Sequence, residues 1–509
     1  MAIIGRTVVR RVVVVALVAV LAVLDGCRLL SSGSGIDWHS CGSDDGVVSA
    51  AIPGSVAGRV SCGRLSVPLD PRDPGLGTIS LAVARLGAAG PATGTLVINP
   101  GGPGGSGVGH LVGSAANLAQ SAIADTHDIV SFDPRGVGAS RPAIRCRTDA
   151  ERDTERAMDL GDRSAAGIGR VERYREAMAH ECRARVGADV LSRVGTDFVA
   201  GDLDRFRAAL DEDAIAFLGY SYGTRLGLEY AARYPSRLEG LVLDGVVDPV
   251  EDPIDASIDQ QRGFQQAFDA FAEDCVQRPG CPLGDRVEDA VARYRAMVDP
   301  LLADPAPAGG RTLSVEDAEI ATVAALYQRS GWDDLRAALI ALAAGDGTGM
   351  TRLADAFEGR DVDGRYDASQ DAFVAISCAD DRRVPDRARY DESELRARSA
   401  APFRDDGRGT GRGPLGICEF WTPAVHPAGG PPVDGTPGVG TPPALVVAST
   451  GDPATPYPTA MAVARRIGAG RISVDRPGHT AVFRGDECVD RTVTRYLSDP
   501  TVPHATLGC

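Results

Sequence analysis

Ala214-Ile215-Ala216-Phe217-Leu218-Gly219-Tyr220-Ser221-Tyr222-Gly223-Thr224 is the stretch on which the reading of this chain turns. Residues 214–218 form an apolar run of buried-strand type, and residues 224–234 carry a helical pattern. Between them sits Gly-x-Ser-x-Gly, with no second copy in the chain. Strand, sharp turn and helix together lift a serine hydroxyl above the edge of a sheet. The flanking glycines leave room where a Cβ would strike neighbouring backbone. One such pattern alone is a weak signal, so its chemical partners must be sought elsewhere in the chain.

A serine hydroxyl is a poor nucleophile at its ordinary pKa. It needs a general base, and the base needs an orienting carboxylate. In the chain order Ser…Asp…His both partners follow the serine. Three histidines do so here: His426, His479 and His504. His479 stands in Pro477-Gly478-His479-Thr480, a turn just after a strand-like run. Asp452 opens the turn Gly451-Asp452-Pro453-Ala454-Thr455-Pro456, directly after the apolar run that ends at Thr450. That is a strand's carboxyl end, where sites of open α/β sheets gather. Taken singly, Asp452-Pro453 could be a plain turn and His479 a surface histidine. Taken jointly, order and placement favour Ser221 as nucleophile, His479 as general acid–base and Asp452 as the orienting carboxylate. His426 falls in a proline-rich linker and His504 near the terminus, while Asp475 and Asp486 lack the place just beyond a strand.

Asn99-Pro100-Gly101-Gly102-Pro103-Gly104-Gly105-Ser106-Gly107 follows another strand-like run, residues 95–99. Gly102 to Gly107 formally matches a dinucleotide-binding loop, a weak match. The preferred reading is an oxyanion-hole loop, in which small residues let the Gly102 amide join that of Tyr222 beside a developing oxyanion. It shares one site with Ser221, whereas a nucleotide loop leaves Asp452 and His479 unexplained.

Residues 64–70 and 78–85 alternate apolar and polar, as an opening hairpin would, and residues 128–133, 238–244, 443–448 and 471–474 read as further strands. Residues 202–210 are helical in pattern. From about 251 the chain becomes rich in Ala, Asp and Arg, with helical periodicity over 258–275 and 287–302. Strands alternating with helices predict an α/β fold with a mostly parallel sheet. The expected organisation is a core over 37–250, a mostly helical cap inserted over 251–432, and a returning core segment over 433–509.

The 509 residues supply ample core, and the formal charge of −16 argues against a nucleic-acid partner. The chain has no lysine, so a Walker-type phosphate loop is excluded as well. Arg6, Arg10 and Arg11 precede an apolar run over 12–24, too short to span a membrane comfortably and suited to a signal peptide over 1–26. Leu24-Asp25-Gly26-Cys27 resembles a bacterial lipobox, with lipidation of Cys27 and a tether over 27–36. Ordinary secretion with nearby cleavage is the alternative. The localisation expected is therefore exported, at the cell surface or secreted.

Eleven cysteines point to an oxidising compartment. Beyond Cys27, neighbours along the chain suggest the pairs Cys41–Cys62, Cys146–Cys182, Cys275–Cys281, Cys378–Cys418 and Cys488–Cys509. Connectivity does not follow from sequence. No metal-ligand spacing is present, and neither metal nor cofactor is expected.

Together with Asp133-Pro134-Arg135-Gly136-Val137-Gly138-Ala139-Ser140, the motifs around Asn99, Ser221, Asp452 and His479 resemble the secreted actinobacterial α/β-hydrolases. These are the tripeptidyl aminopeptidases and related proline-iminopeptidase-like serine peptidases. The resemblance runs from about Trp38 to Cys509 and includes Cys378-Ala379-Asp380. It implies an α/β-hydrolase fold with a helical cap restricting entry, and release of di- or tripeptides from free N-termini. A peptide substrate must then present its ammonium to a carboxylate. Asp380, Asp381 and Glu229 are the candidates, with solvated surface charge and a helix-face salt bridge as their plainer readings. The rival functions are a carboxylesterase or lipase using the same triad, and a non-catalytic surface lipoprotein that binds without turnover.

Overall fold

The computed structural model describes residues 35–47, 52–422, 436–438, 440–500 and 507–509. The expected signal segment, Cys27, most of the tether, His426 and His504 lie outside the described residues.

The strands are β1 (Val60–Pro68), β2 (Thr78–Leu86), β3 (Gly94–Asn99), β4 (His127–Phe132), β5 (Ile215–Tyr220), β6 (Leu238–Asp244), β7 (Ala306–Ala308), β8 (Arg311–Leu313), β9 (Leu445–Gly451), β10 (Gly470–Pro477) and β11 (Leu507–Gly508). Nine of them make one sheet in the order β1-β2-β4-β3-β5-β6-β9-β10-β11. β1 and β2 are antiparallel, as is the β2–β4 pair. From β4 across to β11 every pairing is parallel. This is the mostly parallel α/β sheet that the alternation of strand and helix patterns predicts.

β5 is buried at all six positions, as a central parallel strand requires. Its alternate residues divide between two cores. Ala216, Leu218 and Tyr220 join one face of the sheet, while Ile215 and Phe217 join the other. The strand that carries the serine is thereby clamped from both sides.

The chain leaves the sheet after β6 and returns to it at β9. Asp252 begins the excursion by capping the helix Pro253–Val276, accepting from the Ile254 amide, with Pro253 at the first helical position. The intervening helices close on a core of their own, in which the Phe268 and Phe403 rings stack at 4.9 Å. β7 and β8 form a small hairpin within this layer.

Two helices from between β4 and β5, Asp149–Arg156 and Ala165–Val186, also pack into the layer. Arg156 pairs with Asp317 at 2.7 Å and Asp355 at 2.6 Å, and Arg387 pairs with Glu172 at 2.6 Å. The helical layer therefore draws on residues well before 251. Its joints are ion pairs between segments far apart in the chain, which no local pattern reveals.

Disulfides join Cys41–Cys62, Cys146–Cys182, Cys275–Cys281, Cys378–Cys418 and Cys488–Cys509. Among the described residues, no helix is long and apolar enough to cross a membrane.

Candidate active site

Ser221 occupies the corner between β5 and the helix Tyr222–Arg233, with φ 54° and ψ −125°. A positive φ in a residue with a Cβ is strained, at a cost of about 1–3 kcal/mol. The corner is held from both ends. The Ser221 N–H donates to the Asp244 carbonyl at 2.9 Å, and the Ser221 carbonyl accepts from the Thr224 amide at 2.9 Å and its hydroxyl at 2.6 Å. The glycines are obligatory here. A Cβ on Gly219 would lie 2.3 Å from the Gly223 carbonyl oxygen, and one on Gly223 would lie 2.5 Å from that of Asn99.

Asp452 and His479 follow the carboxyl ends of β9 and β10, neighbouring parallel strands. Nδ1 of His479 lies 2.9 Å from both carboxylate oxygens of Asp452. The carboxylate is further fixed by the Ala454 and Thr455 amides, each 2.9 Å from Oδ1, and by the Thr455 hydroxyl at 3.0 Å from Oδ2. A proton held on Nδ1 leaves Nε2 with a lone pair. Nε2 is buried without a hydrogen-bond partner among the described residues. His479 and Ser221 line the same cavity. No hydrogen bond yet joins their side chains, and such contacts commonly tighten only when substrate arrives.

Gly102 and Tyr222 line that cavity too. Gly102 has φ 111°, and a Cβ there would sit 2.8 Å from the Gly105 nitrogen. Neither the Gly102 nor the Tyr222 amide donates to another described residue, so both are free to meet an oxygen in the cavity. The Gly-rich loop is anchored by buried Asp133, which accepts from the Ser106 hydroxyl at 2.7 Å and the Val108 amide at 3.0 Å.

The cavity holds about 1550 Å³, above the roughly 300–1,000 Å³ of drug-sized ligand sites. Asp380 and Asp381 line it, and Glu229 does not. Glu229 is buried and paired with Arg233 one helical turn away, so the helix-face salt bridge is what the structure shows. Asp380 is engaged as well. Its carboxylate accepts from the Thr196 amide at 2.8 Å, the Thr196 hydroxyl and the Tyr222 hydroxyl. Burial pushes its pKa up to about 8, with the Asp381 and Asp197 charges adding to the rise. Asp381 pairs with Arg225 at 2.8 Å. Of the decoys, Asp475 lies within β10 and accepts from Thr450, and Asp486 caps the helix Glu487–Ser498.

Several residues at the site carry no sequence signal. The Tyr327 carbonyl, in the helical layer, accepts the His479 N–H at 2.8 Å, and its ring meets the imidazole edge-on at 5.7 Å. Gln328 donates to the His479 carbonyl. The Asp244 carboxylate accepts from the amides of Ala481 and Val482 at 2.7 and 2.8 Å, just beyond His479. Thr455 stands inside a quoted motif, yet only the fold shows its hydroxyl on Asp452.

An ordered Asp–His pair facing a strained serine across one cavity defines a class, the serine hydrolases built on an α/β sheet. The family model described as the alpha/beta hydrolase fold matches residues 94–485. The chain is 40% identical to the serine protease Hip1 of Mycobacterium tuberculosis, over 97% of this chain and 96% of the relative. It is 43% identical to carboxylesterase B of the same organism, over 88% and 86%. To the tripeptidyl aminopeptidase of Streptomyces lividans it is 30% identical, over 93% and 88%. The chain belongs to the α/β-hydrolase family, among its actinobacterial peptidases, and is a serine hydrolase.

Proposed function

We propose that this enzyme is an exported aminopeptidase that releases di- or tripeptides from free N-termini through an acyl-enzyme. Ser221 attacks the scissile carbonyl while Nε2 of His479 takes its proton and later returns it to the leaving amine. Asp452 holds the imidazole and stabilises its charged form. The Gly102 and Tyr222 amides receive the oxyanion of the tetrahedral intermediate. Water then hydrolyses the ester by the same route. No metal or cofactor takes part.

The observation that carries this reading is the charged lining of the cavity around Ser221, where Asp248, Glu251, Asp259, Asp380 and Asp381 stand with Arg225, Arg382, Arg383 and Arg404. A charged peptide terminus gains from a lining of this kind, and an uncharged acyl ester does not. The roofing helices suit short products. Relatives named as a serine protease and a tripeptidyl aminopeptidase agree with it. Export accords with the apolar N-terminal run and the disulfides, and a lipid on Cys27 would link the enzyme to a membrane. A carboxylesterase is the second reading, favoured by the relative named carboxylesterase B.

The test compares wild type and Ser221→Ala on free-amine tripeptidyl amides, their N-acetylated counterparts and short acyl esters. Cleavage confined to the free-amine amides, and lost in the variant, supports the aminopeptidase. Cleavage of esters alone transfers the enzyme to the second reading.

A further inference from the structure

The charged side chains around the cavity are already engaged, with one exception. Asp248 is clamped by Arg466 through two contacts of 2.8 Å, and Asp259 pairs with Arg262. Asp380 is held by Thr196 and Tyr222, and Asp381 by Arg225. The guanidinium groups are spent in the same way. Arg382 pairs with Asp252 at 2.6 Å, Arg383 donates to the Cys418 and Trp421 carbonyls, and Arg404 donates to Gln261 at 2.9 Å. The exception is Glu251. Glu251 lines the cavity with Ser221, yet its carboxylate has no ion pair and no hydrogen bond among the described residues.

Resting on the aminopeptidase reading, the geometry points to Glu251 as the residue that receives the substrate's α-ammonium. The segment that carries it starts against the nucleophile corner, where the Val247 amide donates to the Thr224 hydroxyl at 3.0 Å. Glu251 follows Val247 by four residues, a reach of at most about 14 Å. The amine of a bound di- or tripeptide lies within about 10 Å of the scissile carbonyl on the same geometry. The surroundings of Glu251 also favour a cation. Burial and then the Asp259, Asp248, Asp255 and Asp252 charges push its pKa up to about 7. An arriving ammonium offsets that repulsion and fills the missing bond. The amine therefore has an open anchor at Glu251, where Asp380, Asp381 and Glu229 each already have a partner within the protein.

The test uses the full chain with Glu251→Gln, which keeps the shape and removes the charge, and with Glu251→Asp. Three substrates are compared: a free-amine tripeptidyl amide without basic side chains, its N-acetyl counterpart, and an N-acetyl peptide amide bearing one lysine. In Glu251→Gln the preference in kcat/KM for the free amine over the acetylated amide is expected to fall about tenfold or more, through KM. Glu251→Asp should recover part of it, which a merely structural role would not produce, and melting curves check that both variants fold. If wild type prefers the free amine and Glu251→Gln keeps that preference, the anchor is overturned while the aminopeptidase reading stands. If wild type shows no such preference, the reading itself fails and takes the anchor with it. A loss confined to the lysine-bearing peptide means Glu251 reads a side chain, which also overturns the anchor.

Discussion

The Ser221 amide donates its hydrogen bond to the backbone carbonyl of Asp244, at 2.9 Å. The same aspartate uses its side chain to hold Ala481 and Val482, so one residue at the end of β6 ties the serine corner to the histidine loop. Thr480 and Phe483 in that loop have positive φ, 64° and 55°, and need such support. Replacing Asp244 by Ala leaves two buried amides without an acceptor. We expect a loss of roughly 2–4 kcal/mol in stability and a fall in kcat larger than any change in KM. Urea melts and steady-state kinetics measure both, and an unaltered kcat would remove Asp244 from the positioning of His479.

Ser221→Ala is expected to abolish turnover with little effect on the melting temperature, because the corner accepts a small side chain. Ser221→Gly should also be inactive but more stable, by roughly 1 kcal/mol, since glycine relieves the positive φ. Differential scanning calorimetry of the two variants decides whether the corner is strained.

Asp452→Asn preserves shape but lets the imidazole settle in the wrong tautomer. By analogy with other triads, kcat should fall roughly 10³–10⁴-fold with the fold intact. A fall of less than tenfold would mean that another group orients His479.

Asp380 gives a pH signature in stability. Its pKa in the folded protein is about 8, against about 4 in an unfolded chain. Between those values the folded state holds a proton that the unfolded state releases, so this residue's contribution declines as pH rises and levels off above about 8. Asp380→Asn carries no such proton. Its stability relative to wild type should therefore improve from about pH 5 to pH 8 and then stay level. A stability difference independent of pH would show that Asp380 is ionised throughout.

The Cys378–Cys418 disulfide pins the helix Ser369–Asp380, and with it Asp380, to the turn Ile417–Phe420. Replacing both cysteines by serine should cost about 2–4 kcal/mol. A melting temperature equal to that of wild type would show that packing alone holds the helix.

Much of the scaffold is legible locally. The runs around residues 95–99, 214–218 and 238–244 become β3, β5 and β6 because central parallel strands are apolar on both faces. Gly219, Gly223 and Gly102 mark places where backbone meets backbone. The helices Asp149–Arg156 and Ala165–Val186 escape notice as part of the roof, since the ion pairs that join them to it span long separations in the chain. The same distance hides Tyr327, whose carbonyl takes the histidine amide from another layer of the fold.

By itself, then, the sequence determined the main strand runs along the chain, the serine turn and the succession Ser221, Asp452, His479, because those features are written in adjacent residues and their periodicity. The tertiary structure alone decided which carboxylates remain available. Fifty-three arginines stand against 69 acidic residues, so composition does not say which acids find a guanidinium. Folding pairs Glu229 with Arg233 and Asp381 with Arg225, and leaves Glu251, in the cavity that Ser221 lines, without a partner among the described residues. Ionic partnership depends on distances of a few ångströms between segments brought together by packing, and spacing along the chain carries no record of them.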